Sequence, residues 1–222
     1  MKQRREEGRQ QRAMSKYFTK DKWYYCFRIL SNPGDSFYEI RHREYGSVPI
    51  ALLMVFIFAI CYSMNRLYSS FIVNDVDPRS VNLFPEMTAI FAFVLLFAVG
   101  NWSITCLMNG EGRLKDIIIV TGYSLLPMIL FYIPAILLSQ VVSLNEKGFY
   151  SLLIIIGTAW TLILILVGIM TIHNYTLAKT LVTLVLSIVA VLLMLFLFML
   201  VTDLVAQVYQ FFHSIYQELI FR

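Results

Sequence analysis

Five long apolar runs, separated by short polar connections, account for most of this chain. They cover about 48–64, 84–108, 117–144, 149–172 and 177–201. An α-helix needs roughly 20 residues to cross the hydrocarbon core of a bilayer, and each run approaches or exceeds that length. Only 14% of the 222 residues are charged, whereas about 25% is usual in soluble domains. We therefore predict an all-α, polytopic membrane protein with five transmembrane helices.

Amphipathic segments flank this predicted 47–202 membrane domain at both ends. Residues 1–46 form a basic, aromatic tail, and residues 203–222 place apolar side chains at helical spacing opposite polar ones. We predict interfacial segments in the tail and an amphipathic carboxyl-terminal helix that turns into the outer interface. Aromatic rings and basic heads suit the headgroup level of a bilayer. The candidate lipid or partner contacts are Lys16, Lys20, Lys22, Trp23 and Arg28.

The distribution of basic residues predicts the orientation. Eleven of the 18 Lys and Arg residues precede Ser47. With the amino end in the cytoplasm, 14 basic residues lie inside and 4 outside, as the positive-inside rule requires. We therefore expect a cytoplasmic amino end, an external carboxyl end and no cleavable signal peptide. Anionic headgroups at the inner leaflet are favoured as partners over nucleic acid.

Ionisable residues are absent from the interior of the apolar runs after Glu86. Intramembrane hydrolysis and proton-coupled transport usually require such groups, so we predict no catalytic residues, metal site or cofactor. The three cysteines and three histidines are too scattered to suggest a metal site. Glu86 is interpreted as a solvated edge charge, with the acid of an outer-side site as the alternative.

The third run contains Pro127 and Pro134, which should kink or open its helix. A packing kink is the favoured interpretation. The alternative is a break that lines a path for a small uncharged solute, with polar side chains from Asn101, Ser103, Thr121 and Tyr123. This alternative describes a transporter or channel.

One short charged loop, from Asn109 to Asp116, joins the second and third runs. Gly110 and Gly112 bracket Glu111, and they would allow a left-handed helix cap followed by an immediate reversal. A loop this short makes the two helices antiparallel neighbours. Trp102 and Tyr123 each lie seven residues from the loop, so we expect them to face each other at one depth.

The sequence Gly122-Tyr123-Ser124-Leu125-Leu126-Pro127 resembles the Gly-Tyr-x-Leu-x-Pro signature of the Yip (Ypt-interacting protein) family. Trp102 before Gly110-Glu111-Gly112, and His173 with Tyr175 and Lys179, are similar to the bacterial branch. The resemblance covers most of residues 30–200. It implies five spans, helix-packing roles for the motif residues and a bacterial plasma membrane location.

Eukaryotic members carry Asp-Leu-Tyr-Gly-Pro ahead of the membrane domain, whereas this chain has only Leu83-Phe84-Pro85. A Rab-type GTPase is therefore not expected as a partner. Some bacterial relatives are encoded beside solute importers, which suggests a membrane protein of that kind as partner. The resulting hypothesis is a non-enzymatic scaffold or accessory subunit for membrane transport or membrane organisation.

Overall fold

A computed structural model describes residues 19–74 and 76–220 of the chain, and within these residues it contains helices and no strands. Five of the helical segments are long and apolar enough to cross a membrane, which confirms the predicted fold class. The α-helices are α1 Lys20–Arg28, α2 Pro33–His42, α3 Val48–Tyr68, α4 Leu83–Leu107, α5 Leu114–Ser124, α6 Leu126–Ser139, α7 Lys147–His173 and α8 Leu177–Ile220.

The third span consists of two helices, because α5 ends at Ser124 and α6 begins at Leu126. Pro127 occupies the first turn of α6, where its missing amide hydrogen costs nothing. Pro134 lies inside α6 without interrupting it. The helix is therefore broken next to the first proline, whereas at the second proline it stays continuous and that part of the prediction was wrong.

The third span is also shorter than predicted at its far end, since α6 stops at Ser139 rather than near Leu144. Ser143 lies between this end and the next helix. It opens a 3₁₀ turn at Leu144–Glu146, in which the Glu146 carboxylate accepts hydrogen bonds from the Ser143 amide and hydroxyl. This Ser-x-x-Glu capping box starts the chain into α7 earlier than hydropathy indicates.

Helix α8 runs without interruption through the position where we predicted a turn, near residue 202. Neither Gly nor Pro occurs between Leu177 and Ile220, so nothing in the sequence breaks the helix. Residues 203–220 are helical, and whether they lie in an outer interface remains a prediction.

The main core lies where α1 and α2 pack against the ends of α3, α5 and α7. Phe37 of α2 is fully buried, and its ring approaches Gly168 of α7 closely enough that a Cβ there would meet it at 3.2 Å. Cys26 of α1 and Ile29, directly after α1, are buried in the same cluster. The two amino-terminal helices are therefore part of the folded body.

Candidate functional site

The short charged loop from Asn109 to Asp116 folds against the turn that joins α7 to α8. The Gly112 amide donates a hydrogen bond to Nδ1 of His173 at 3.1 Å. The Tyr175 hydroxyl donates to the Met108 carbonyl at 3.1 Å. Two motifs that lie about sixty residues apart in the sequence thus form one structure at the end of the bundle.

The two loop glycines permit this close approach. A Cβ at Gly110 would lie 2.6 Å from both Nδ1 of His173 and the Tyr175 hydroxyl. A Cβ at Gly112 would lie 2.6 Å from Cε1 of His173. Neither glycine has positive φ; Asn109 has φ 54° and makes the left-handed turn. The predicted left-handed cap is therefore present, but the assignment of that role to the glycines was wrong, since asparagine tolerates this conformation.

His173 is held as a neutral, oriented ring. Its Nδ1 accepts from Gly112, so its hydrogen resides on Nε2, which is buried without a hydrogen-bond partner among the described residues. The ring stacks on Tyr175 with centroids 5.3 Å apart, and the ammonium of Lys179 lies 4.0 Å from the centre of the Tyr175 ring. Stacking and a cation–π contact fix the turn that receives the loop.

Ion pairs join the end of α2 to the same loop. Arg41 Nη2 lies 2.7 Å from Glu111 Oε2, and Lys115 Nζ lies 3.2 Å from Glu44 Oε1. The hydrogen bond from Arg41, together with its charge, lowers the pKa of the Glu111 carboxyl. Within the loop, Arg113 Nε lies 3.0 Å from the buried Asp116, and this hydrogen bond raises the pKa of Arg113.

We call this assembly the loop face: residues 108–113 with Arg41, Glu44, Lys115, His173 and Tyr175. Its charged heads are largely outward, with the Glu111 and Lys115 side chains 59% and 46% exposed. A shallow polar cavity of about 410 Å³ adjoins it, lined in part by Tyr38, Arg41, Glu111 and Asn174. The loop face is held by hydrogen bonds and ion pairs and is charged at its surface, which suits it to contact another polar surface.

The remaining motif residues divide into buried and exposed ones. Tyr123 is fully buried, and its hydroxyl accepts from the Ser47 amide at 3.2 Å. Gly122 faces Ala51, whose carbonyl oxygen would lie 2.6 Å from an added Cβ. Trp102 is 41% exposed. Tyr123 therefore has its hydrogen-bond partner at the start of α3. We predicted that Trp102 and Tyr123 share one environment, but Trp102 is far more exposed than Tyr123.

The candidate lipid contacts of the tail differ in exposure. Lys16 lies outside the described residues, and Lys20 is exposed at the start of α1. Lys22, Trp23 and Arg28 are half-buried, with Trp23 packed against the core and the Arg28 guanidinium 5.7 Å from the centre of the Tyr25 ring. The docking of α1 on the body was not visible in the sequence, because its apolar residues suit a lipid surface equally well.

The polar residues proposed for a neutral path make hydrogen bonds to a neighbouring helix or to their own backbone. The amide of Asn101 donates to Ser187 Oγ at 2.9 Å, and the Ser103 hydroxyl donates to the Val99 carbonyl. Thr121 bonds its own helix, at the Ile117 carbonyl. Thr121 also lines an apolar cavity among the spans, and the transporter or channel alternative stays a prediction.

The prediction that Glu86 is a solvated charge at the edge of the membrane domain was wrong. Its side chain is only 13% exposed, and Oε1 lies 2.7 Å from Arg66 Nη1. Ser63 donates to Oε2 at 2.8 Å. Spacing along the chain gave no signal for this pairing, since Arg66 and Glu86 come from different helices joined by a long connection.

The part of the chain that the structure describes offers no clustered set of metal-ligating side chains. No group of three His, Cys, Asp or Glu side chains is clustered there. Burial raises the pKa of the Cys26 thiol to about 12, so it is not a thiolate near neutral pH.

Comparison with known proteins identifies one family. The Yip1 domain matches residues 27–199, which is well over half of the chain. No curated protein and no solved structure matches it. The matched region contains α2 to α7, the loop face and the first part of α8.

Proposed function

Because the chain belongs to the Yip1 domain family, we propose that it is a non-enzymatic integral membrane protein that serves as a scaffold or accessory subunit. We propose that it lies in the bacterial plasma membrane, with its amino end in the cytoplasm. Its role is in membrane transport or membrane organisation, and its docking surface is the loop face. The observation that carries the proposal is that the family-like motif residues build a fixed, charged surface at one end of the bundle.

The chemistry of the loop face supports docking over catalysis. Its charged groups are paired: Glu111 with Arg41, Glu44 with Lys115, and Arg113 with the neighbouring, buried Asp116. Paired, outward-facing charges provide orientation and specificity to a polar interface. A membrane protein such as a solute importer fits this surface, while the basic tail meets anionic headgroups. A Rab-type GTPase is not the proposed partner.

Site-specific photocrosslinking in intact cells tests the proposal. A photoreactive residue replaces Lys115 on the loop face, and a matched one replaces Asn145, which is exposed at the opposite end of the bundle. We expect a reproducible crosslinked species from position 115 and none of the same mass from position 145. Reversal of both charges of the pair, Arg41→Glu with Glu111→Arg, should weaken this crosslink without loss of folded protein.

The proposal fails if position 115 yields no specific crosslink at native abundance and deletion of residues 1–18 leaves the cells unaffected. An identical partner at both positions would also contradict it, because the loop face would then have no special role.

A further inference from the structure

A long cleft opens where α7 and α8 face each other, and three of its lining residues, Phe58, Ile165 and Leu184, also pack against the main core. Helix α8 packs chiefly on α4, and α7 packs chiefly on α6, so α7 and α8 make few contacts with each other. The cleft has a volume of about 840 Å³ and draws its walls from all five spans. Its lining is almost entirely apolar and includes Phe93, Phe97, Leu125, Leu162, Leu184 and Ile188.

The length of the cleft matches one leaflet of a bilayer. On α4 its lining extends from Glu86 to Phe97, which corresponds to about 16 Å at 1.5 Å per residue. Half of a hydrocarbon core of about 30 Å is about 15 Å. An acyl chain that starts beside Glu86 would therefore reach its terminal methyl near the inner end of the cleft.

Opposite charges mark one end of this cleft. Arg66 and Glu86 line it and form the ion pair described above. The Arg66 side chain remains 31% exposed, and a guanidinium has five N–H donors, which exceed the needs of one carboxylate oxygen. Arginine suits phosphate, and a carboxylate suits an ammonium group. A side-by-side cation and anion therefore complement a zwitterionic headgroup better than a singly charged one.

We propose that this cleft binds one zwitterionic phospholipid of the phosphatidylethanolamine type, which enters sideways from the bilayer between α7 and α8. Its phosphate meets Arg66, its ammonium meets Glu86, and one acyl chain lies along Phe93, Phe97 and Leu162. Ligand pockets of about 300–1,000 Å³ with apolar walls and a few convergent polar groups have this character. The inference is independent of the docking role assigned to the loop face.

The test uses the purified full-length chain in nanodiscs of a galactosyl diacylglycerol, whose headgroup has neither phosphate nor ammonium, doped with a phosphatidylethanolamine that carries a diazirine on one acyl chain. After irradiation, the labelled residues are mapped by mass spectrometry. We expect labels concentrated on the cleft segments of α4 and α7. A uniform distribution over all lipid-exposed helices would overturn the proposal, because it would describe bulk lipid only.

Two tryptophan variants of α4 provide the matched control. Ala89 lines the cleft, whereas Ala92 lines a separate groove formed with α8. Ala89→Trp should reduce cleft labelling about tenfold, equivalent to about 1.4 kcal/mol of binding. Ala92→Trp should leave it unchanged. Equal labelling in the two variants would refute occupancy of the cleft.

Competition tests the headgroup. Unlabelled phosphatidylethanolamine should displace the probe at lower mole fraction than phosphatidylglycerol does, and Arg66→Gln with Glu86→Gln should abolish the difference. If phosphatidylglycerol competes equally well with the wild-type chain, the zwitterionic assignment is wrong. If the double variant keeps the preference, the Arg66–Glu86 end does not hold the headgroup.

Discussion

The third and fifth spans are both strongly apolar, yet one is central and the other peripheral. In the most apolar stretch of each, 61% of the residues of the third span are buried, against 11% in the fifth. The third span is nevertheless the less hydrophobic, with a mean hydropathy of 2.0 against 3.2. Hydrophobicity therefore does not decide which helix lies inside this bundle.

Small and polar residues explain the difference. The central α5 carries Thr121, Gly122 and Ser124, all buried. On α8 the buried polar residues are Thr180, Thr183 and Ser187, and its buried face ends soon after them, at Val191. Lipid tails are as apolar as leucine, so close packing and hydrogen bonds, rather than hydrophobic burial, select the helix contacts in a membrane.

The largest expected effect comes from the closest packing point of the third span. In Gly122→Ala, the new Cβ would lie 2.6 Å from the Ala51 carbonyl oxygen and 2.9 Å from its Cα. Backbone atoms cannot rotate away, so α3 and α5 must separate, at a cost of about 1–3 kcal/mol. The midpoint of heat-induced loss of monodisperse protein in detergent measures this.

Gly148→Ala is the control, because an added Cβ there meets nothing within 4 Å. Its midpoint should stay at or slightly above that of the wild-type chain, since alanine favours helix. If the two variants behaved alike, close approach of α3 and α5 would not be what holds the third span in the centre.

The second prediction concerns the loop face. Gly112→Ala should destabilise the protein by about 1–2 kcal/mol, since the methyl group would overlap the buried His173 ring. The same change in a His173→Ala background should cost little, because the ring is gone. A double-mutant cycle of thermal midpoints measures this coupling. Equal losses in both backgrounds would show that Gly112 acts through its backbone conformation instead.

These two glycine sites show what the sequence could predict and what it could not. The length of the apolar runs and their lack of charge were enough to predict five spans, because a bilayer requires about 20 apolar residues per helix and disfavours charge. The contact of Gly112 with His173, the placement of Tyr123 beside Ser47, and the Arg66–Glu86 pair depend on which helices are neighbours. One sequence contains no direct signal for that choice, so the Gly110-Glu111-Gly112 and His173-Tyr175 motifs were recognised separately and not as partners.

The third prediction is smaller and depends on pH. Arg41 lowers the pKa of Glu111, so the folded state favours the carboxylate. The stabilisation is present above the ordinary pKa of about 4.5 and is lost as the pH falls through the lowered value. Thermal midpoints of the wild-type chain should therefore converge with those of Glu111→Gln in acid. A constant difference down to low pH would exclude the ion pair as its cause.

The smallest effect is expected at the far end of the fifth span. The described side chains from Val201 to Glu218 are all exposed, so a chain that ends at Thr202 loses no buried side chain among the described residues. Its thermal midpoint should match that of the full chain within the effect of a surface change, about 0.5 kcal/mol. Ser187→Ala is the positive control, because it removes the buried bond to Asn101, and such bonds contribute about 0.6 kcal/mol on average and up to about 1.7. If the truncation proved as damaging as Ser187→Ala, the end of α8 would have to be packed against something in the detergent-solubilised protein, and a second copy detected by light scattering would identify it.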